Sequence, residues 1–210
     1  MLKWSLDVTN NSNKDSDDLL ELYCGGGTFT AALASNFRTV IATEISKASV
    51  ELAHKTFKAN NITNIKVARY IYYMIINNII IVICYRLSSE EFTAAYQNKR
   101  SFQRLKDQGI NDLNKDYNIT TVLVDPPRAG LDLKTCELIT KFDKIVYISC
   151  NPDTLARDLN ILTKTHNIVR GAAFDQFPYT HHLECGIYLV KKVNDEENLL
   201  GKRKADVEIN

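Results

Sequence analysis

The sequence predicts an α/β fold with an open, mostly parallel sheet of seven strands flanked by helices. Short apolar runs alternate with stretches of helical spacing, and hairpin signals are few. Glycine, acidic and cysteine residues fall just after successive apolar runs, where open parallel sheets collect their chemistry. The chain has 210 residues, 45% of them hydrophobic and 24% charged, which is ordinary globular composition with enough length for one full core.

Asn10 to Asp18 is polar and unpatterned, hence a loop. Leu19–Tyr23 is the first strand, ending at Cys24-Gly25-Gly26-Gly27. Thr28–Ala34 follows as a helix with Thr28 as its cap. Thr39–Thr43 is a second strand, ending at Glu44, and Lys47–Asn60 has helical spacing at Val50, Leu52, Ala53 and Phe57. Asn64–Ala68 is expected as the third strand and Thr120–Val124 as the fourth, the latter ending at Asp125. Asp132–Lys141 reads as a helix capped by Asp132. Lys144–Ser149 is the fifth strand, ending at Cys150, and Asn151-Pro152 opens a helix to Leu162. Ile168–Phe174 and Glu184–Val190 close the sheet.

One stretch breaks the pattern. Tyr70 to Tyr85 reads YIYYMIINNIIIVICY, sixteen residues without a charge. A membrane helix needs about 20 apolar residues, and Asn77-Asn78 interrupts this one. A buried strand or hairpin is a second reading. The favoured third reading makes residues 70–86 an insert foreign to the fold. Its removal joins Ala68-Arg69 to Leu87-Ser88-Ser89 in a smooth strand-to-helix connection, and arginines flank it as they would an unremoved intron. The domain thus spans residues 1–192, followed by a charged, disordered tail.

The net charge of +1 excludes a strongly cationic chain, so nucleic acid must be held by a local patch. Five cysteines, an odd number with no C-x-x-C pair, argue against a disulfide framework and a zinc site; no metal is expected. Reduced thiols make the cytoplasm the default compartment, with nucleus or organelle open. No apolar signal segment and no membrane association are expected. A monomer is the default oligomeric state.

Four motifs carry chemistry. In LELYCGGGTF, residues 20–29, a glycine turn between strand and helix lets a cofactor approach the backbone at Gly25 and Gly27. Glu44 follows Gly25 by 19 residues, near the spacing for a carboxylate on a ribose diol, while Thr30 occupies the third glycine position of a dinucleotide fingerprint. A tight turn in any α/β protein is the bland alternative. In VLVDPPRAGLD, residues 122–132, two prolines fix an extended turn. Asp125 can accept hydrogen bonds from cofactor or base, and Arg128 can meet phosphate; otherwise this is a rigid loop with a solvated arginine. In YISCNP, residues 147–152, Cys150 precedes a helix N-terminus, an environment that favours anions, thiolates among them. A buried inert cysteine is the competing reading. In FDQFPYTHHLECG, residues 174–186, Glu184 is a candidate general base, and Phe177 and Tyr179 can stack on an unpaired base beside His181. A surface turn with chance aromatics is the alternative, and the adjacent histidines lack metal-ligand spacing.

Taken in order, LELYCGGGTF, ATEISKASV, VDPPRAGLD, YISCNPDTL and FDQFPYTHHLECG resemble the tRNA (uracil-5-)-methyltransferase family. The likeness covers nearly all of residues 1–192 apart from 70–86. It implies a Rossmann-like class I methyltransferase fold, S-adenosylmethionine as cofactor and tRNA as partner, with 5-methyluridine formed in the T-loop. By the same resemblance Cys150 is the nucleophile that adds to C6 of uracil, and Glu184 the base that removes the C5 proton. Tyr23, Thr28, Glu44 and Asp125 match cofactor-contacting positions, although Thr28 stands where bacterial members are expected to carry Asn. The chemistry asks for this pairing, because C5 is a poor nucleophile until a thiolate adds at C6. The target base must also leave its stack.

Full-length members of the family carry an N-terminal RNA-binding part and a glutamine-bearing cofactor motif, and neither is expected in this chain. Three alternatives stand beside this reading. They are a ribosomal-RNA uracil-5-methyltransferase, an RNA-binding module without turnover, and a nicotinamide dehydrogenase. Thr30 and the SCNP motif count against the last.

Overall fold

The computed structural model describes residues 1–62, 81–85, 89–97, 113–180 and 182–193. In chain order the elements are α1 (Leu2–Val8), β1 (Asp18–Leu22), α2 (Thr28–Leu33), a 3-10 turn (Ala34–Asn36), β2 (Thr39–Thr43) and α3 (Lys47–Ala59). Then come β3 (Ile81–Tyr85), α4 (Ser89–Tyr96), α5 (Leu113–Asp116), β4 (Ile119–Val124) and α6 (Leu133–Ile139). The chain closes with β5 (Lys144–Ser149), α7 (Pro152–Leu162), β6 (His166–Phe174) and β7 (Glu184–Lys191). Among the described residues one sheet of seven strands runs β3-β2-β1-β4-β5-β7-β6. The first five pair in parallel, and β7 runs antiparallel to both β5 and β6.

The central strands are apolar because both of their faces are covered. All five residues of β1 and of β2 are buried. Leu20, Leu22, Val122, Val124, Ile145 and Tyr147 face a core completed by Phe92, Cys136, Leu138 and Leu162. Leu19, Val40, Ala42, Leu123, Val146 and Ile148 face the other, completed by Phe29, Leu33, Phe37 and Phe57. Each fully buried aliphatic or aromatic side chain contributes roughly 1.5–3 kcal/mol.

Helix starts follow local chemistry. Asp132 caps α6 by accepting from Thr135 N at 3.0 Å, and Asn151 caps α7 by accepting from Asp153 N at 3.1 Å, with Pro152 in the first turn. Such caps are worth about 1 kcal/mol each. The expected cap of α2 is corrected. Gly27, at φ +75°, is the N-cap and no side chain caps the helix. Thr28 is already the first helical residue, because the left-handed turn at Gly27 starts the helix before a threonine oxygen can reach back. Helix α1 was not anticipated; its Trp4 ring packs edge-on against Phe174 at 5.9 Å between centroids.

The strand expected at Asn64–Ala68 lies outside the described residues. The edge position beside β2 is taken by Ile81–Tyr85, in register from Thr39↔Ile81 to Thr43↔Tyr85. That strand belongs to the stretch read as an insert. Its sequence, IVICY, is β-branched and uncharged, which suits a parallel strand. The charged tail from residue 194 also lies outside the described residues. Among those described, no helix is long and apolar enough to cross a membrane.

Candidate active site at the carboxyl ends of the strands

The turns after β1, β2, β4 and β5 open at one edge of the sheet, and β7 enters from that edge. After β1, Tyr23 and Gly25 take left-handed conformations at φ 64° and 52°. The three glycines differ in role. A Cβ on Gly26 or Gly27 would strike α3, coming within 2.9 Å of Leu52 and 2.6 Å of Phe57, so those two allow helix and turn to close together. A Cβ on Gly25 would meet nothing within 4 Å, so Gly25 borders open space. Glu44, at the end of β2, accepts from Gly25 N at 3.0 Å and from Ser46 N at 2.7 Å. The structure thus brings Tyr23, Gly25 and Glu44 together, with Gly27 behind them and Thr28 exposed on α2.

Beneath this turn lies a carboxyl group that the motif analysis passed over. Glu21, the penultimate residue of β1, is 1% exposed and accepts from Thr30 Oγ1 at 2.6 Å. Burial is the main reason that its pKa is raised to about 8, and Asp125 adds to the rise. An acid within the apolar run LLELY was the available signal. Thr30, which displaces a glycine from the dinucleotide fingerprint, is the partner of this acid.

Asp125 follows β4 and is half-buried. Burial, and secondarily the charge of Glu184, raise its pKa to about 6. Cys150 follows β5, in a tight turn where Ser149 Oγ donates to Asn151 O and accepts from Asn151 N. The antiparallel register of β5 and β7 pairs Ile148 with Gly186 and Ser149 with Cys185. The ladder ends there; Cys150 is the first residue after β5 and Glu184 the first residue of β7, and both are half-buried.

The loop before β7 is tied to the loop after β4. Arg128 donates from Nη2 to His182 Nδ1 at 2.8 Å. A guanidinium can only donate, so Nδ1 is the acceptor in this contact. His182 also packs edge-on against Phe177. Phe177 is about half exposed and Tyr179, at φ 66°, is fully exposed. Of the expected RNA-contacting group, Arg128, Phe177 and Tyr179 lie on this rim, while His181 is outside the described residues. His181 is the member of the histidine pair expected from the sequence; the one that meets Arg128 is His182, a distinction that composition does not make.

A sheet of this order with its site at the carboxyl ends of parallel strands defines a Rossmann-like class I methyltransferase fold. The sequence model of the tRNA (Uracil-5-)-methyltransferase family matches residues 1–192, and the chain belongs to that family. It is 51% identical over 192 residues to a tRNA/tmRNA (uracil-C(5))-methyltransferase of Aliivibrio salmonicida, covering 91% of this chain and 46% of that one. The chain therefore spans about half the length of the curated relatives it matches. Among solved structures, the Pyrococcus abyssi tRNA (uracil-54, C5)-methyltransferase in complex with S-adenosyl-L-homocysteine superposes with a TM-score of 0.62 at 26% identity. That match covers 90% of this chain and 37% of the other. An rRNA methylase from Streptococcus thermophilus, at 11% identity and a TM-score of 0.59, shares the fold.

Proposed function

We propose that this chain carries the methyl-transfer part of an S-adenosylmethionine-dependent tRNA uracil-C5 methyltransferase. The observation that supports the reading is the β5–β7 pairing, which brings the end of β5, just before Cys150, and the start of β7, at Glu184, to the edge where Glu44 and Asp125 also lie. The residues fit the cofactor. Gly25 borders open space, Glu44 offers a half-buried carboxylate held by two backbone donors, and Asp125 stands two strands from Glu44 across β1. Tyr23 completes the turn, while Gly27 supports it from behind by letting α3 approach.

The Cys150 thiolate forms a bond to C6 of a uracil lifted from its stack, and the electron pair of the C5–C6 double bond moves toward C5 and its carbonyl. S-adenosylmethionine, when bound, would supply the methyl carbon to C5, the carbon–sulfur electron pair staying on sulfur so that S-adenosylhomocysteine is left. Glu184 then accepts the C5 proton. The C–H electron pair restores the double bond, and the thiolate leaves C6. Arg128, Phe177 and Tyr179 line the rim over which the RNA enters, the first for phosphate and the two rings for stacking.

A T-loop hairpin carrying 5-fluorouridine tests this, because fluorine at C5 cannot leave as a proton and the covalent complex persists. The assay uses the chain itself and a fusion to the amino-terminal half of a full-length relative. With S-adenosylmethionine present, a denaturation-resistant protein–RNA band is expected, and Cys150→Ala should abolish it. Glu184→Gln should still form the thioether with ordinary uridine and accumulate the adduct, because proton removal stalls. A band that survives Cys150→Ala would move the nucleophile to another cysteine and sink the assignment.

A further inference from the structure

The SCNP motif continues into TLARDL, residues 154–159, and the reaction outlined above gives that continuation no task. In the structure these residues hold the loop after β4. Asp158 is 1% exposed. Its Oδ2 accepts from Leu131 N at 2.8 Å and from Tyr147 OH at 2.7 Å, and its Oδ1 accepts from Arg157 Nε at 2.9 Å and Nη2 at 2.7 Å. Arg157 Nη2 also donates to Ala129 O at 2.9 Å and Leu131 O at 3.0 Å. One turn earlier on the same helix, Thr154 Oγ1 and Asn151 Nδ2 both donate to Arg128 O at 3.1 Å. Gly130, at φ +73°, lies against this clamp. A Cβ there would come within 2.7 Å of both Arg157 Nη2 and Asp158 Oδ2.

Helix α7 therefore grips every residue from Arg128 to Leu131, by backbone bonds or by close packing. The grip starts at the N-cap, the residue directly after Cys150. The gripped loop begins three residues after Asp125. We infer that Arg157 and Asp158 are positioning residues that keep the loop bearing Asp125 and Arg128 in fixed register with Cys150. Asp158 is the anchor, because its buried charge is met by four donors from three elements. Arg157 carries that anchor outward to the loop carbonyls, and its fork geometry lets one side chain serve both tasks. The inference rests on the proposed roles of Asp125 and Cys150.

Hydrogen exchange of the Leu131 amide, which donates to Asp158, reads the clamp directly, that of the Gly130 amide, which donates to Pro127 O, reads the turn the clamp holds, and calorimetric binding of S-adenosylhomocysteine reads its consequence at Asp125. Arg157→Ala should speed exchange at these two amides by at least about tenfold and weaken the ligand by about tenfold, the scale of a lost charge-assisted hydrogen bond. Arg157→Lys should recover part of both, since an ammonium can reach one carbonyl but cannot fork. Tyr147→Phe is the control for general weakening. It removes a donor to Asp158 from the β5 side and leaves the loop bonds intact, so it should lower the denaturation midpoint and move neither readout.

The inference is overturned if exchange at residues 130 and 131 is unchanged in Arg157→Ala. It is equally overturned if Tyr147→Phe weakens the ligand as much as Arg157→Ala. The exchange arm decides the clamp by itself. Failure of the unaltered chain to bind S-adenosylhomocysteine would instead count against the functional reading.

Discussion

On the β1–β2 side of the site, main-chain donors hold a side chain: Gly25 N and Ser46 N both point at the Glu44 carboxylate. On the β4–β5 side the relation is reversed, and side chains of Asn151, Thr154, Arg157 and Asp158 hold main-chain groups between Arg128 and Leu131. The first side leaves room, since Gly25 borders open space; the second is filled, since Gly130 has none to spare. The difference matches the two tasks proposed for these sides. A recess for a small molecule needs an accessible carboxylate and space. A covalent nucleophile needs neighbouring loops that do not drift, because a misplacement of about 1 Å can cost a hundredfold in rate.

The largest effect expected from testing this contrast concerns Glu21, which lies under both sides. Its folded pKa of about 8 lies above the ordinary 4.5. A raised carboxyl pKa gives stability that is complete below pH 4.5 and is lost as pH rises through about 8, because the unfolded chain releases its proton first. The slope is at most about 1.4 kcal/mol per pH unit, on the order of 5 kcal/mol across the window. Asp125 acts in the same direction only up to about pH 6, and His166, whose pKa burial lowers from the ordinary 6.5, acts in the opposite direction up to that value, so the slope above about pH 7 belongs mainly to Glu21. Glu21→Gln should flatten it in urea unfolding, because an amide mimics the protonated acid. An unchanged slope would mean that Glu21 is already ionised in the fold.

Next in size is Gly27→Ala. The new Cβ would sit 2.6 Å from the Phe57 ring, which is 2% exposed in the core, and φ is +75°. Strain and overpacking together should cost about 3 kcal/mol in thermal or urea unfolding. A loss well under 1 kcal/mol would show that α3 yields, and that the turn is less tightly packed than the contrast requires.

Glu44→Ala should weaken S-adenosylhomocysteine at least tenfold by calorimetry, since charge-assisted hydrogen bonds contribute roughly 1.5–3 kcal/mol. Unchanged affinity removes Glu44 from the site. Gly25→Ala should cost only about 1 kcal/mol of stability, the left-handed backbone penalty alone. If it nevertheless weakens the ligand, the space beside Gly25 is the recess. If it destabilises as much as Gly27→Ala, the two glycines share one packing role and the comparison between them fails.

Much of this was readable from the chain. The strand ends at Leu22, Thr43, Val124 and Ser149 fall within a residue of where apolar runs give way to glycine, acid or cysteine. Asp132 and Asn151 cap the helices they were expected to cap, because an N-cap bond spans only two or three residues and is written locally. The cap of α2 was misplaced because a left-handed glycine and a threonine hydroxyl both serve at that position, and dihedrals decide between them. Glu21 was passed over because an acid in an apolar run announces neither its burial nor its partner.

What the sequence determined by itself is the order of elements, the strand-end positions of Gly25, Glu44, Asp125 and Cys150, and the chemistry those residue types allow. These depend on apolar periodicity and on turn chemistry, both of short range. Tertiary structure alone decided which strand lies beside β2, which histidine meets Arg128, that the end of β5 pairs with the start of β7, and that Arg157 and Asp158 grip a loop 26 to 28 residues away in the chain. Each of these is a pairing between distant segments. Several partners are chemically acceptable for each, and only the twist and register of the whole sheet, with the helices packed on it, leaves one within reach.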